Sequence, residues 1–117
     1  MTEVQVVLVE LSGILHDIVE GIVDAQPDMR VAADIRDAGE VPRSLGETGA
    51  QFVIWGIDGD VAEFYPDVLD QYPRVKVLAV QNEYHHALLW EMRPTPARLG
   101  ELSPDRLVAA LRTVGDA

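Results

Sequence analysis

The sequence predicts an α/β domain in three layers, a doubly wound parallel sheet covered by helices on both faces. Three observations carry that prediction. Short β-branched runs recur at Val4–Val9, Val31–Ile35, Phe52–Ile57 and Val75–Val80. Segments with helical spacing separate most of them, and strands that alternate with helices imply right-handed βαβ units wrapped on one sheet. The strand runs are apolar at nearly every position, the pattern of strands covered on both faces.

The elements follow in order. After the first run, Ser12 offers an N-cap, and Ile14, Leu15, Ile18, Ile22 and Ala25 recur at helical spacing until Pro27. Val31–Ile35 is the second strand. Val41 to Thr48 reads as a short helix, with Pro42 in its tolerant first turn and Gly49 just past its end. Phe52–Ile57 is the third and most apolar strand. Val61 to Tyr72 is helical through Phe64, Val68, Leu69 and Tyr72, and Pro66 either kinks that helix or marks its start. Val75–Val80 is the fourth strand. Ser103-Pro104-Asp105 opens a last helix with a cap, a first-turn proline and an acid at the positive dipole end. Leu107, Val108, Ala110, Leu111 and Val114 are its apolar stripe.

Two readings compete over Gln81–Leu99. In one, Glu83 to Met92 is a fourth helix and Thr95–Leu99 a fifth parallel strand. In the other, Leu88, Trp90 and Met92 alternate with Leu89, Glu91 and Arg93 as a strand does. Pro94 and Pro96 leave little room for a strand between Thr95 and Leu99. The hairpin is preferred: the fourth helix is lost, and His86–Met92 runs back beside Val75–Val80.

The chain has 117 residues, one domain spanning 1–117 and long enough to bury roughly two-thirds of its unfolded surface. Its 20 acidic against 9 basic residues give a net charge of −11, which repels phosphate backbones and anionic membranes. Direct nucleic-acid or membrane binding is therefore not expected. The absence of cysteine excludes disulfides and thiolate metal sites. Met1-Thr2-Glu3 leads straight into a strand with no basic and apolar leader pattern, and the chain reads as cytoplasmic.

Four phrases carry a resemblance: Val6-Val7-Leu8-Val9-Glu10, Ala25-Gln26-Pro27-Asp28-Met29-Arg30-Val31-Ala32-Ala33, Arg74-Val75-Lys76-Val77-Leu78, and Leu102 to Arg112. In order and spacing the chain resembles the flavodoxin-like receiver domains of bacterial response regulators, especially those with a C-terminal helix-turn-helix. The resemblance implies Mg²⁺ held by two acids after the first strand and one ending the third, where the third-strand aspartate accepts a phosphoryl group. It also implies a hydroxyl residue after the fourth strand and a lysine after the fifth. Little of this set survives here. Glu10 keeps one acid, Leu11 replaces the second, Gly56 replaces the nucleophile and Ala79 the hydroxyl, while the lysine position falls at Gly100 or Arg93. The resemblance therefore implies a pseudo-receiver, with the scaffold kept and phosphotransfer lost.

Other constellations are weaker. Glu10, Asp58 and Asp60 should converge at the carboxyl ends of adjacent strands, yet acids at strand–loop junctions are ordinarily solvated. His85 and His86 diverge on either a strand or a helix and cannot readily chelate one ion. His16, next to Asp17, reads as a solvated helix residue, so no metal or cofactor is expected. Trp55 reads as packed. The glycines form no phosphate cradle, and no nucleophile-elbow spacing is present.

These readings point to a non-catalytic signalling or regulatory module that acts independently of phosphorylation, through a protein partner or a homodimer. Tyr84, Trp90 and Met92, with Leu107 and Leu111 of the last helix, are the candidate interface, since aromatic residues and methionine are enriched at interfaces. The alternative is a small-ligand, nucleotide- or flavin-binding domain, against which stands the short, acidic loop Glu10-Leu11-Ser12-Gly13. A further alternative is the receiver-like half of a transcriptional regulator, whose linker would begin at Thr113–Ala117.

Overall fold

The computed structural model describes residues 3–60, 67–72, 74–82, 86–90, 97–101 and 103–112. Six strands form one sheet: β1 (Val4–Val9), β2 (Met29–Ile35), β3 (Phe52–Ile57), β4 (Lys76–Gln81), β5 (His86–Trp90) and β6 (Ala97–Glu101). Their order across the sheet is β2-β1-β3-β4-β5-β6. The first four are parallel, β5 is antiparallel to β4, and β6 is antiparallel to β5. The helices are α1 (Gly13–Asp24), α2 (Val41–Thr48), α3 (Val68–Gln71) and α4 (Pro104–Arg112). The fold is α/β with helices on both faces, but the sheet is mixed rather than wholly parallel.

Because successive strand residues point to opposite faces, the continuous apolar runs feed two cores. Val6 and Leu8 of β1, Phe52 and Ile54 of β3, and Leu78 and Val80 of β4 pack under Leu15, Val19 and Val23 of α1 and Leu107, Ala110 and Leu111 of α4. On the other face Val7, Val9, Val53 and Val77 pack against Val41 and Leu45 of α2 and Val68 of α3. Ala87 and Leu89 of β5 join the first core, so the hairpin extends the face that α4 covers.

Three details differ from what the sequence suggested, and one more is described only in part. The first helix turns its Leu15, Val19 and Val23 stripe to the sheet and leaves Ile14 and Ile18 at 77% and 46% exposure. Two overlapping apolar stripes occupy this helix, and only one can face the core. Second, β6 exists, starting after Pro96, so no proline interrupts its ladder and it sits at the sheet edge, where a neighbouring proline is tolerated. Third, α3 is described only from Val68, and residues 61–66 of the expected longer helix lie outside the described residues. Fourth, Ser12 occupies the N-cap position of α1 with no side-chain capping bond. Gly49, by contrast, ends α2 as expected, in the left-handed conformation at φ 67° that glycine adopts without strain. No helix among the described residues is long and apolar enough to cross a membrane.

Candidate functional site

The chain leaves β1 toward β2 on one side and returns to β3 on the other, so the strand order reverses between β1 and β3. The carboxyl ends there are where open α/β sheets place ligands. Gly56 is the next-to-last residue of β3 and pairs in register with Val80 of β4. Asn82 stands two residues beyond Val80 on the same face and turns its amide back over the strand ends. Its Oδ1 accepts the Ser12 backbone N–H at 2.8 Å. Its Nδ2 donates to the Asp58 carboxylate at 2.8 Å and to the Glu10 carbonyl at 3.3 Å. One side chain thus ties together the ends of β1, β3 and β4 and the start of α1.

This arrangement uses the space above Gly56. A Cβ there would lie 2.6 Å from the Glu10 carbonyl oxygen, 2.7 Å from Asn82 Oδ1 and 2.8 Å from Leu11 Cα. Two of those three obstacles are backbone and cannot swing aside. The position is therefore restricted to glycine by packing. Glu10 contributes through its backbone: it has φ 51°, a left-handed conformation that costs a non-glycine residue roughly 1–2 kcal/mol. Its N–H is held by the Ile35 carbonyl at 2.9 Å.

Of the residues singled out from the sequence, Glu10, Leu11, Gly56 and Asp58 meet at this point. Leu11 is buried in the first core. Ala79 does not meet them. It pairs with Trp55, not Gly56, and so faces the opposite side of the sheet, packed with Leu88 and Ile57. Asp60 is exposed. Asn82 was not singled out, and Ser12 was read only as an N-cap. A tie from Asn82 to Ser12 across 70 residues of chain leaves no local signal.

The histidine reading is corrected. His16 is not a solvated side chain: its side chain is 17% exposed and lies among three carboxylates. Nε2 contacts Asp34 of β2 directly and lies 3.7 Å from Glu20 one turn along α1, while Nδ1 lies 3.4 Å from Asp17. The Asp34 carboxylate foremost, with Asp17 and Glu20 adding to it, raises the imidazole above its ordinary pKa, and partial burial opposes the shift. The pairing was illegible in the sequence because Asp34 lies on another element. His86 is exposed at the start of β5, and His85 lies outside the described residues.

The candidate interface is also corrected in part. Leu107 and Leu111 are fully buried beneath α4 and offer no surface. Their spacing matches both a core stripe and an exposed one, and the first core takes it. Tyr84 and Met92 lie outside the described residues, and Trp90 is placed only as the β5 residue opposite Val77. The exposed large apolar side chains among the described residues are Ile14 and Ile18.

Trp55 packs partly against the second core and borders a cavity of about 370 Å³. Gly39, Val41, Pro42, Val68 and Gln71 form much of the remaining wall. Comparisons with protein-family models, curated proteins and solved structures give no significant match to this chain.

Proposed function

We propose that this domain is a receiver-like binding module that acts through a partner protein or a second copy of itself, without phosphoryl transfer. The observation that carries the reading is the closure above Gly56. The place where a third-strand carboxylate would project is taken by the Glu10 carbonyl, the Leu11 backbone and the Asn82 amide. The strand order β2-β1-β3-β4, with helices on both faces, supports a flavodoxin-like ancestry for the scaffold, and β5 stands in chain order where that plan has its fourth helix. Ile14 and Ile18 sit one turn apart on α1, with Asp17 between them in the chain. An apolar pair at an acidic margin suits a partner that presents an apolar cleft with basic residues around it.

The test is incubation with acetyl phosphate and Mg²⁺ followed by intact-mass measurement. No phosphoryl adduct is expected, and a stoichiometric adduct mapped to Asp58 overturns the reading.

One observation favours a second reading, a small-ligand domain. The cavity beside Trp55 has the size of small-molecule sites and lies near the carboxyl end of β3. In a Trp90→Phe background, titration with nucleotides and flavins while following Trp55 fluorescence tests it, and saturable quenching supports that reading over the first.

A further inference from the structure

We infer that His16, Glu20 and Asp34 form a binding site for one divalent transition-metal ion of the zinc type. Their ligand atoms all lie within 4.8 Å of one another, and they come from two elements in contact, α1 and β2. His16 and Glu20 are four residues apart on α1 and so share a helix face. Asp34 reaches them from β2, the edge strand, where it pairs in register with Leu8 of β1. A tetrahedral zinc ion bound at about 2.0–2.1 Å to each donor separates those donors by about 3.3–3.4 Å. The His16 Nε2 to Glu20 Oε2 distance is 3.7 Å, within a small rotamer adjustment of that requirement. The His16–Asp34 contact must open slightly, exchanging a shared proton for the metal.

The chemistry of the set narrows the ion. One imidazole with two carboxylates suits zinc and its neighbours, whereas Mg²⁺ and Ca²⁺ favour all-oxygen shells. Three protein donors leave a fourth position open to water, the arrangement of a site that exchanges or presents a ligand. The second ring nitrogen is also provided for. Asp17 faces Nδ1, so Nε2 is directed at the other two donors, as outer carboxylates commonly arrange a ligating histidine. A divalent cation also offsets the repulsion among Asp17, Glu20 and Asp34 in a chain of net charge −11. The competing description is an imidazolium ion-paired with the same acids and no metal. The proposal does not depend on the function proposed above.

The experiment is calorimetric titration of the chelator-treated full chain with ZnCl₂ at pH 7.5, with the visible spectrum of the Co²⁺ form as a second readout. One equivalent of zinc is expected, with a Co²⁺ spectrum of four-coordinate type and no heat from MgCl₂. His16→Gln and Asp34→Asn should each lower zinc affinity by more than about 100-fold, and Asp17→Asn by about tenfold, the low end for an outer partner. His86→Gln should leave it unchanged. The site is overturned if the parent chain takes up no stoichiometric zinc, if His16→Gln and Asp34→Asn bind as the parent does, or if His86→Gln abolishes binding. Should His16→Gln fail to fold by circular dichroism, Asp34→Asn and Glu20→Gln decide the matter on the same criteria.

Discussion

The Oδ1 atom of Asn82 lies 2.7 Å from the point that a Cβ on Gly56 would occupy, so the two residues are sterically complementary across the ends of β4 and β3. The glycine is small because the amide is there, and the amide reaches Ser12 and Glu10 because the glycine is small. This pair fills the space between the carboxyl ends of β1, β3 and β4.

Gly56→Ala should lower the unfolding free energy by about 1–3 kcal/mol, the usual penalty for overpacking a filled site. Gly56→Asp should cost more, because its larger side chain meets the same backbone atoms and adds charge near Asp58. Urea denaturation of both variants checks the order. An aspartate variant as stable as the parent contradicts the geometry.

Asn82→Ala removes the acceptor of the Ser12 N–H and should cost about 1–2 kcal/mol. The same change removes one of the three obstacles above Gly56, so Gly56→Ala should cost less in the Asn82→Ala background than in the parent. The double-mutant cycle should give a coupling of at least about 0.5 kcal/mol. Strict additivity refutes a shared contact.

Glu10→Gly should stabilise the fold by about 0.5–1 kcal/mol. Glycine relieves the left-handed backbone at φ 51°, and the gain is partly offset by its greater freedom when unfolded. The melting temperature reads this directly, and a fall indicates that the Glu10 side chain contributes more than its backbone loses.

His16 predicts a pH dependence in chelator-treated protein. Its folded pKa is raised above the unfolded value of 6.5, so the protonated form is favoured by folding. The contribution is therefore fully present below pH 6.5 and is lost as pH rises through the higher folded pKa. The difference in unfolding free energy between the parent and His16→Gln, measured from pH 5.5 to 9, should shrink with increasing pH. A constant difference contradicts the ion pairing with Asp34.

Ile14→Glu with Ile18→Glu should leave the unfolding midpoint nearly unchanged, since both side chains are exposed, while weakening any association seen by sedimentation. Leu111→Ala should do the opposite, costing about 2–5 kcal/mol of stability through the cavity it leaves. Equal stability losses from both changes would show that α1 is covered on its outer face.

The strands were legible because both faces of β1, β3 and β4 are buried, and burial on two faces writes itself as an unbroken apolar run. The return of β5 beside β4 was legible in the alternation of Leu88 and Trp90 with Leu89. The phase of α1 was not, since Ile14-Ile18-Ile22 is as good a stripe as Leu15-Val19-Val23 and the choice depends on how the helix lands on the sheet. β6 was hidden because Pro94 and Pro96 argue against a strand, while the ladder begins one residue after them. Of the site, the meeting of Glu10 and Asp58 at neighbouring strand ends was legible from where the apolar runs stop. Its other features, Asn82 over Gly56 and Asp34 against His16, are contacts between distant segments that no local pattern records.

Placing α4 over the first core has a consequence for synthesis on the ribosome. Leu107 and Leu111 are the side chains that close the face built from Phe52, Ile54, Leu78 and Leu89. Arg112 then anchors the helix to Asp28 and Gln26, at the turn between α1 and β2. Until that stretch has cleared the exit tunnel, α1 covers only part of that apolar face and the rest stays open to water. Folding of this domain is thus timed by its last helix, and a ribosome stalled before Leu107 should hold a chain that proteases cut readily throughout β1–β4.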